Sequence, residues 1–122
     1  MTYEAFDVVV VPFPFTDRES IKRRPALILS RSDTFGNRIG HSVLAMITSR
    51  SRTGWPLDVP INDGESAGLT APSLVRMKLF TLDHRLILRK AGRLCEDDQR
   101  DVADVLAKLL ASPANRSSSE TA

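Results

Sequence analysis

The sequence predicts a mainly β domain, a small, partly open barrel with one amphipathic helix at its C-terminal end. Three observations carry this expectation. Short runs of β-branched and apolar residues recur up to Leu94, each bounded by Gly, Pro, Asn, Asp or Ser. The apolar spacing changes once, after Cys95, from strand-like to helical. Strands and helices do not alternate, so parallel βαβ units are not expected. At 122 residues the chain has the size of a single domain, able to bury about two-thirds of its unfolded surface without staples.

Phe6–Phe13, centred on Val8–Val11, is β-branched and too short for a typical helix, and reads as the first strand. Thr16 to Lys22 is a polar loop. Pro25–Ser30 is the second strand, beginning where a proline loses no ladder bond. Asp33–Gly40 has the glycines and Asn of a turn, and Ser42–Thr48 is the third strand. Leu57, Val59 and Ile61 alternate with Asp58 and Pro60 in a shorter strand, and Asn62–Gly68 is a turn-rich loop. Further strands are expected around Ser73–Phe80 and Ile87–Leu94. Beyond Cys95, Val102, Val105, Leu106, Leu109 and Leu110 fall on one helical face, and Glu96, Asp97 and Asp98 stand where the helix dipole favours carboxylates. This helix of about four turns ends before Pro113. The domain is expected to span residues 1–111, with the small, polar residues 112–122 a disordered tail.

Composition narrows the function classes. Cys95 is the only cysteine, which removes a disulfide framework and points to a reducing compartment. The N-terminus has no basic leader region, and its longest apolar run, Val8–Phe15, is broken by Pro12 and Pro14, far short of the roughly 20 residues that span a bilayer. A cytoplasmic protein without a membrane partner is expected. His41 and His84 lack neighbours at ligand spacing, so no metal site is expected, and no phosphate-binding Gly-rich loop or nucleophile elbow is present. No cofactor is expected.

The formal charge of +2 hides a segregation. Between Arg18 and Arg52, eight basic side chains face only Glu19 and Asp33, and a second basic stretch from Arg76 to Arg93 contains one acid, Asp83. The acids gather in Glu96, Asp97, Asp98, Asp101 and Asp104. A fold that joins the two basic stretches would present a positive face suited to phosphates. The same charges are also compatible with solvated strand edges and turns.

Val10-Val-Pro-Phe-Pro-Phe-Thr-Asp-Arg-Glu-Ser-Ile-Lys-Arg-Arg-Pro-Ala-Leu-Ile-Leu-Ser30 runs from a strand through a basic loop to Arg-Pro at a second strand. This segment resembles the PemK/MazF family. The resemblance continues through Ala45-Met-Ile-Thr-Ser49, Gly54-Trp-Pro-Leu-Asp-Val, Ser73-Leu-Val-Arg-Met-Lys-Leu-Phe-Thr-Leu-Asp83 and Gly92-Arg-Leu before the acidic helix, and covers about residues 6 to 111. It implies an SH3-like barrel of the CcdB/PemK type, acting as the toxin of a type II toxin-antitoxin system. The implied activity is metal-independent endoribonuclease cleavage of single-stranded mRNA by 2′-OH attack, giving a cyclic phosphate. A homodimer and a cognate antitoxin are implied as partners.

By this resemblance Arg24 takes the catalytic arginine position. A guanidinium fork suits the charge of a phosphorane-like transition state; without the resemblance the residue reads first as a structural arginine capping a loop. Thr48 takes the catalytic threonine position, where its hydroxyl can bond a non-bridging oxygen; alone it is a β-favouring residue. The loop before Arg24 departs from the family pattern, leaving Glu19 and Asp17 as alternative general bases or as solvated acids. Thr16, Arg18, Lys22, Arg23, Ser49, Arg50, Arg52 and Arg76 are the implied RNA contacts. Trp55, the only tryptophan, is placed either as a base-stacking platform or as a plug in the barrel edge. Two other readings share the fold: a CcdB-like toxin that binds DNA gyrase without catalysis, and a barrel that binds nucleic acid without cutting it.

Overall fold

Val8–Val11 form the middle of β1 (Asp7–Phe13), which pairs antiparallel with β2 (Lys22–Ile28) on one side and β6 (Arg89–Arg93) on the other. A strand flanked on both sides and covered on both faces needs no polar alternation, and Val8, Val9 and Val11 are fully buried. The structure, a computed structural model, describes residues 2–13, 22–52 and 54–113. β3 (His41–Ser49), β4 (Val59–Pro60) and β5 (Ser73–Asp83) complete a six-stranded antiparallel sheet in the order β4-β5-β3-β2-β1-β6. The sheet curls into a half-barrel, and the C-terminal helix α2 (Glu96–Leu109) follows it. This is the mainly β architecture that the sequence predicts.

Alternation along the strands builds two apolar layers. Val8, Leu27, Ala45, Ile47 and Val75 point to one side, where Val102 of α2 joins them with Ile61, Met77 and Leu94. Val9, Val11, Ala26, Ile28, Leu44 and Leu82 point to the other, under Tyr3 and Ile87. Along α2 burial fades from Val102 to Leu109 and Leu110, which are 37% and 57% exposed, so the apolar stripe of the sequence outruns the surface it covers.

The loop after β4 closes the curl. The Arg93 N–H on β6 donates to the Ser66 carbonyl at 3.0 Å. The two backbones lie so close that a Cβ on Gly92 would overlap the Ser66 carbonyl, and one on Gly68, held at φ 74, would overlap that of Ala91. Asp98 anchors the start of this loop. Its buried carboxylate accepts the Asn62 N–H at 3.1 Å, the Asp63 N–H at 2.9 Å and the Asn62 side-chain amide at 3.2 Å. The dipole role expected of Asp98 is thus joined by a tertiary one, because a buried carboxylate needs such donors. Asp7 is the second buried acid, held by Arg93 at 3.0 Å and Lys90 at 3.2 Å.

Element boundaries differ from the sequence expectation in four places. β2 starts at Lys22 rather than Pro25, because Lys22, Arg23 and Arg24 pair with Phe13, Pro12 and Val11. The expected 33–40 turn is a π-helical turn, Ser32–Gly36, running into the short α1 (Asn37–Ile39), and Gly40 at φ 67 ends it. The expected strand Leu57–Ile61 shrinks to Val59–Pro60, since Leu57 sits at φ 65 and breaks the extended run. Finally, β5 extends to Asp83, and a 3₁₀ turn, His84–Leu86, delays β6 to Arg89. The expected loop from Thr16 and most of the expected tail lie outside the described residues.

Candidate active site

Strand alternation and register bring the proposed catalytic pair together. The β2–β3 ladder opposes Ala26 to Met46, and continuing that register by two residues sets Arg24 against Thr48 on the same side of the sheet. On the next strand, Met46 faces Arg76. Here the ladder slips: Ala45 faces Leu79 but Met46 faces Arg76, so Met77 and Lys78 form a bulge on β5. Bulges re-aim side chains. Lys78, two residues from Arg76, stays on the same side of the strand and joins the site.

Arg24, Thr48, Arg52, Arg76 and Lys78 line a cavity of about 190 Å³ floored by Phe13, Met46 and Ile47. A second cavity of about 210 Å³ lies across Arg24 and Thr48, with Pro25, Ser49 and Leu69–Ala71 in its wall. Arg24 and Thr48, both half-buried, are thus common to the two hollows. No acid lines the first cavity among the described residues. A cleft with four cations and one hydroxyl selects an anion.

One of these cations is already engaged. Arg76 forks onto Asp58 through Nε at 3.2 Å and Nη2 at 2.9 Å, and the same Nη2 donates to the Arg52 carbonyl at 2.5 Å. These hydrogen bonds to Asp58 hold the guanidinium above its ordinary pKa. Trp55, 41% exposed, lies against Arg76 and Lys78, with its ring centroid 5.6 Å and 5.7 Å from the two cationic groups.

The other expected contacts spread around this centre. Lys22 and Arg23 are exposed at the start of β2, and Ser49 and Arg50 are exposed at the end of β3, where the Ser49 hydroxyl bonds that of Ser51 at 2.9 Å. Thr16, Asp17, Arg18 and Glu19 lie outside the described residues. As a site residue Asp58 is absent from the sequence reading, and Lys78 enters it only as a member of the second basic stretch. The signal for Lys78 is its i, i+2 spacing from Arg76 on a strand, whereas the Asp58–Arg76 pair joins the segment before β4 to β5 and has none. Among the described residues no three His, Cys, Asp or Glu side chains cluster to hold a metal ion, and no helix is long and apolar enough to cross a membrane.

The family model for the PemK-like, MazF-like toxin of type II toxin-antitoxin systems matches residues 4–110. The chain belongs to this family. Among solved structures, the PemK/MazF-type chain is similar to MazF in a MazE-MazF crystal structure from Deinococcus radiodurans, at 23% identity and TM-score 0.71, covering 89% of this chain and 96% of that one. It is also similar to the Mycobacterium tuberculosis toxin MazF-mt6, at 22% identity and TM-score 0.67, with coverage of 84% and 93%. A third likeness is an endoribonuclease in complex with its cognate antitoxin from a mycobacterial species, at 16% identity, TM-score 0.70 and coverage of 93% and 98%. These likenesses show the fold. Comparison with curated protein sequences returns no match.

Proposed function

We propose that this PemK/MazF-type toxin is an endoribonuclease that cuts single-stranded RNA, mRNA in the cell, without a metal. The observation that carries the reading is the pairing of Arg24 and Thr48 in one cationic cavity. In the reaction, a ribose 2′-oxygen forms a bond to the adjacent phosphorus while the bond to the 5′-oxygen breaks, leaving a cyclic phosphate and a 5′-hydroxyl. The 2′ proton passes to a base, Glu19 or Asp17 of the preceding loop, and the departing oxygen takes up a proton. The Arg24 fork donates to two phosphate oxygens and the Thr48 hydroxyl to a non-bridging one, so both stabilise charge that grows in the transition state. Lys22, Arg23, Ser49, Arg50 and Trp55, with Thr16 and Arg18 of the loop, supply contacts along the strand. Arg76 acts beside them.

A homodimer, with RNA in a groove between or near the subunits, and a cytoplasmic setting belong to the same reading. So does a cognate antitoxin. The MazE-MazF and mycobacterial complexes support it, and an acidic antitoxin segment would complement the cationic cavity. The test is incubation of the pure protein with long single-stranded RNA in excess EDTA. Cleavage is expected to persist and to leave cyclic-phosphate ends. RNA that is bound but uncut would favour a non-cleaving barrel, and neither binding nor cleavage would favour the gyrase-binding class.

A further inference from the structure

Asp58 stands outside the cavity wall, yet it arranges one side of the cavity. Its two carboxylate oxygens grip the Arg76 fork, and both side chains are largely buried, at 14% and 15% exposure. Through Nη2 the same guanidinium also holds the Arg52 carbonyl. Arg52 and Asp58, on either side of Trp55, are thus tied to a single group. Leu57, beside Asp58, sits at φ 65, and a leucine persists in the left-handed region only where surrounding contacts hold it. Arg76 and Lys78 project from the same side of β5 and both lie against the Trp55 ring, while much of that residue remains open to solvent.

We propose that Asp58 is a positioning residue which, through Arg76, fixes Trp55 as a stacking platform for one unpaired RNA base beside the phosphate cavity. The inference rests on the reading of this chain as an RNA-binding toxin. It divides the labour among the cations. With its charge offset by Asp58, Arg76 organises the platform, while Arg24 and Arg52, which have no carboxylate partner among the described residues, are left for phosphate. An aromatic face stacks on any base, so the platform holds a nucleotide in place without dictating its identity.

Trp55 is the only tryptophan, so its emission reports the platform directly. Asp58→Ala, Asp58→Asn and Asp58→Glu are compared with wild type in the full chain, using a short unpaired RNA as probe. Asp58→Ala is expected to shift Trp55 emission in the free protein and to shrink its quenching by RNA. Affinity should fall about tenfold, with the single-turnover rate at saturating RNA kept within about threefold. Asp58→Glu should restore most of the affinity, and Asp58→Asn supplies the reading if the alanine variant does not fold. Unchanged emission and affinity, or a collapsed saturated rate at unchanged affinity, would overturn the inference. RNA that binds wild type without altering Trp55 emission also overturns it. If wild type binds RNA but does not cut it, the nuclease reading falls, and affinity and quenching still decide the platform. If RNA does not bind at all, both fall.

Discussion

Two regions share one face of the sheet and one set of strands, and they could hardly differ more in use. At one end Val9, Ile28, Leu44 and Leu82 are buried under Tyr3 and Ile87. At the other, four to six residues further along the same strands, Arg24, Thr48, Arg76 and Lys78 surround an open cavity. Alternation decides only which side of the sheet a residue faces. What that side does is set by which end carries apolar groups. Burial at the first end favours folding by about 25 cal/mol per Å² of apolar area. The second end forgoes that gain and gathers like charges, which repel one another until an anion arrives. Arg76, paired with Asp58, is the partial exception.

If the division holds, substitutions at the two ends should separate cleanly. The largest effect is expected for Arg24→Ala, a loss of about 10²–10³-fold in single-turnover RNA cleavage, roughly 2.7–4 kcal/mol, with the thermal midpoint almost unmoved. A variant keeping more than about a tenth of the rate, a loss under roughly 1.4 kcal/mol, would remove Arg24 from the chemistry. At the apolar end Ile28→Val should cost about 1 kcal/mol of unfolding free energy in urea titrations and leave the rate per folded molecule intact. A matching fall in rate would show that the two ends are coupled.

A smaller effect sharpens the border of the cationic end. Lys22→Ala or Arg23→Ala should weaken RNA binding and flatten its salt dependence by roughly 0.7 log units per lost phosphate contact, while cleavage at saturating RNA survives. An unchanged salt slope with a collapsed rate would move these residues into the chemistry. The smallest effect belongs to the apolar end. His84 shares a 2.7 Å hydrogen bond with Ser42, packs edge-on against Tyr3, and is held below its ordinary pKa of 6.5, first by burial and then by His41. The unfolded chain therefore takes up a proton more readily than the folded one. This part of the stability is complete above pH 6.5 and is lost as pH falls below it. His84→Asn should reduce the pH slope of the urea midpoint in that range, and an identical slope would show that His84 does not carry it.

Much of this was legible in the sequence where local pattern and tertiary role agree. The valine run of β1, the β3 run from Ser42 to Thr48 and the acid-led helix each state their structure locally. The start of β2 is hidden because Lys22-Arg-Arg reads as loop, although its backbone pairs fully with β1. Pro25 is tolerated inside that strand, where β3 runs alongside only from Ala26. Leu57 looked like a strand residue by alternation and is in the left-handed region instead. The Arg24–Thr48 pair has no local signature and follows only from family resemblance, while the β2–β3 register, continued, sets the two residues opposite one another. The Asp58–Arg76 grip and the buried Asp98 lay hidden, because each joins segments remote in sequence and neither has a local spacing to reveal it.

The contact of Ser66 with Arg93 brings a loop from one border of the sheet to the strand at the other, and the two glycines there leave no room for a side chain. Unpaired strand borders recruit other strands, so a ribbon pinned shut offers little open edge along which sheets can pair into aggregates. Damage at Gly68 or Gly92 would then register first as turbidity, a colloidal failure of a molecule whose cavity remained sound.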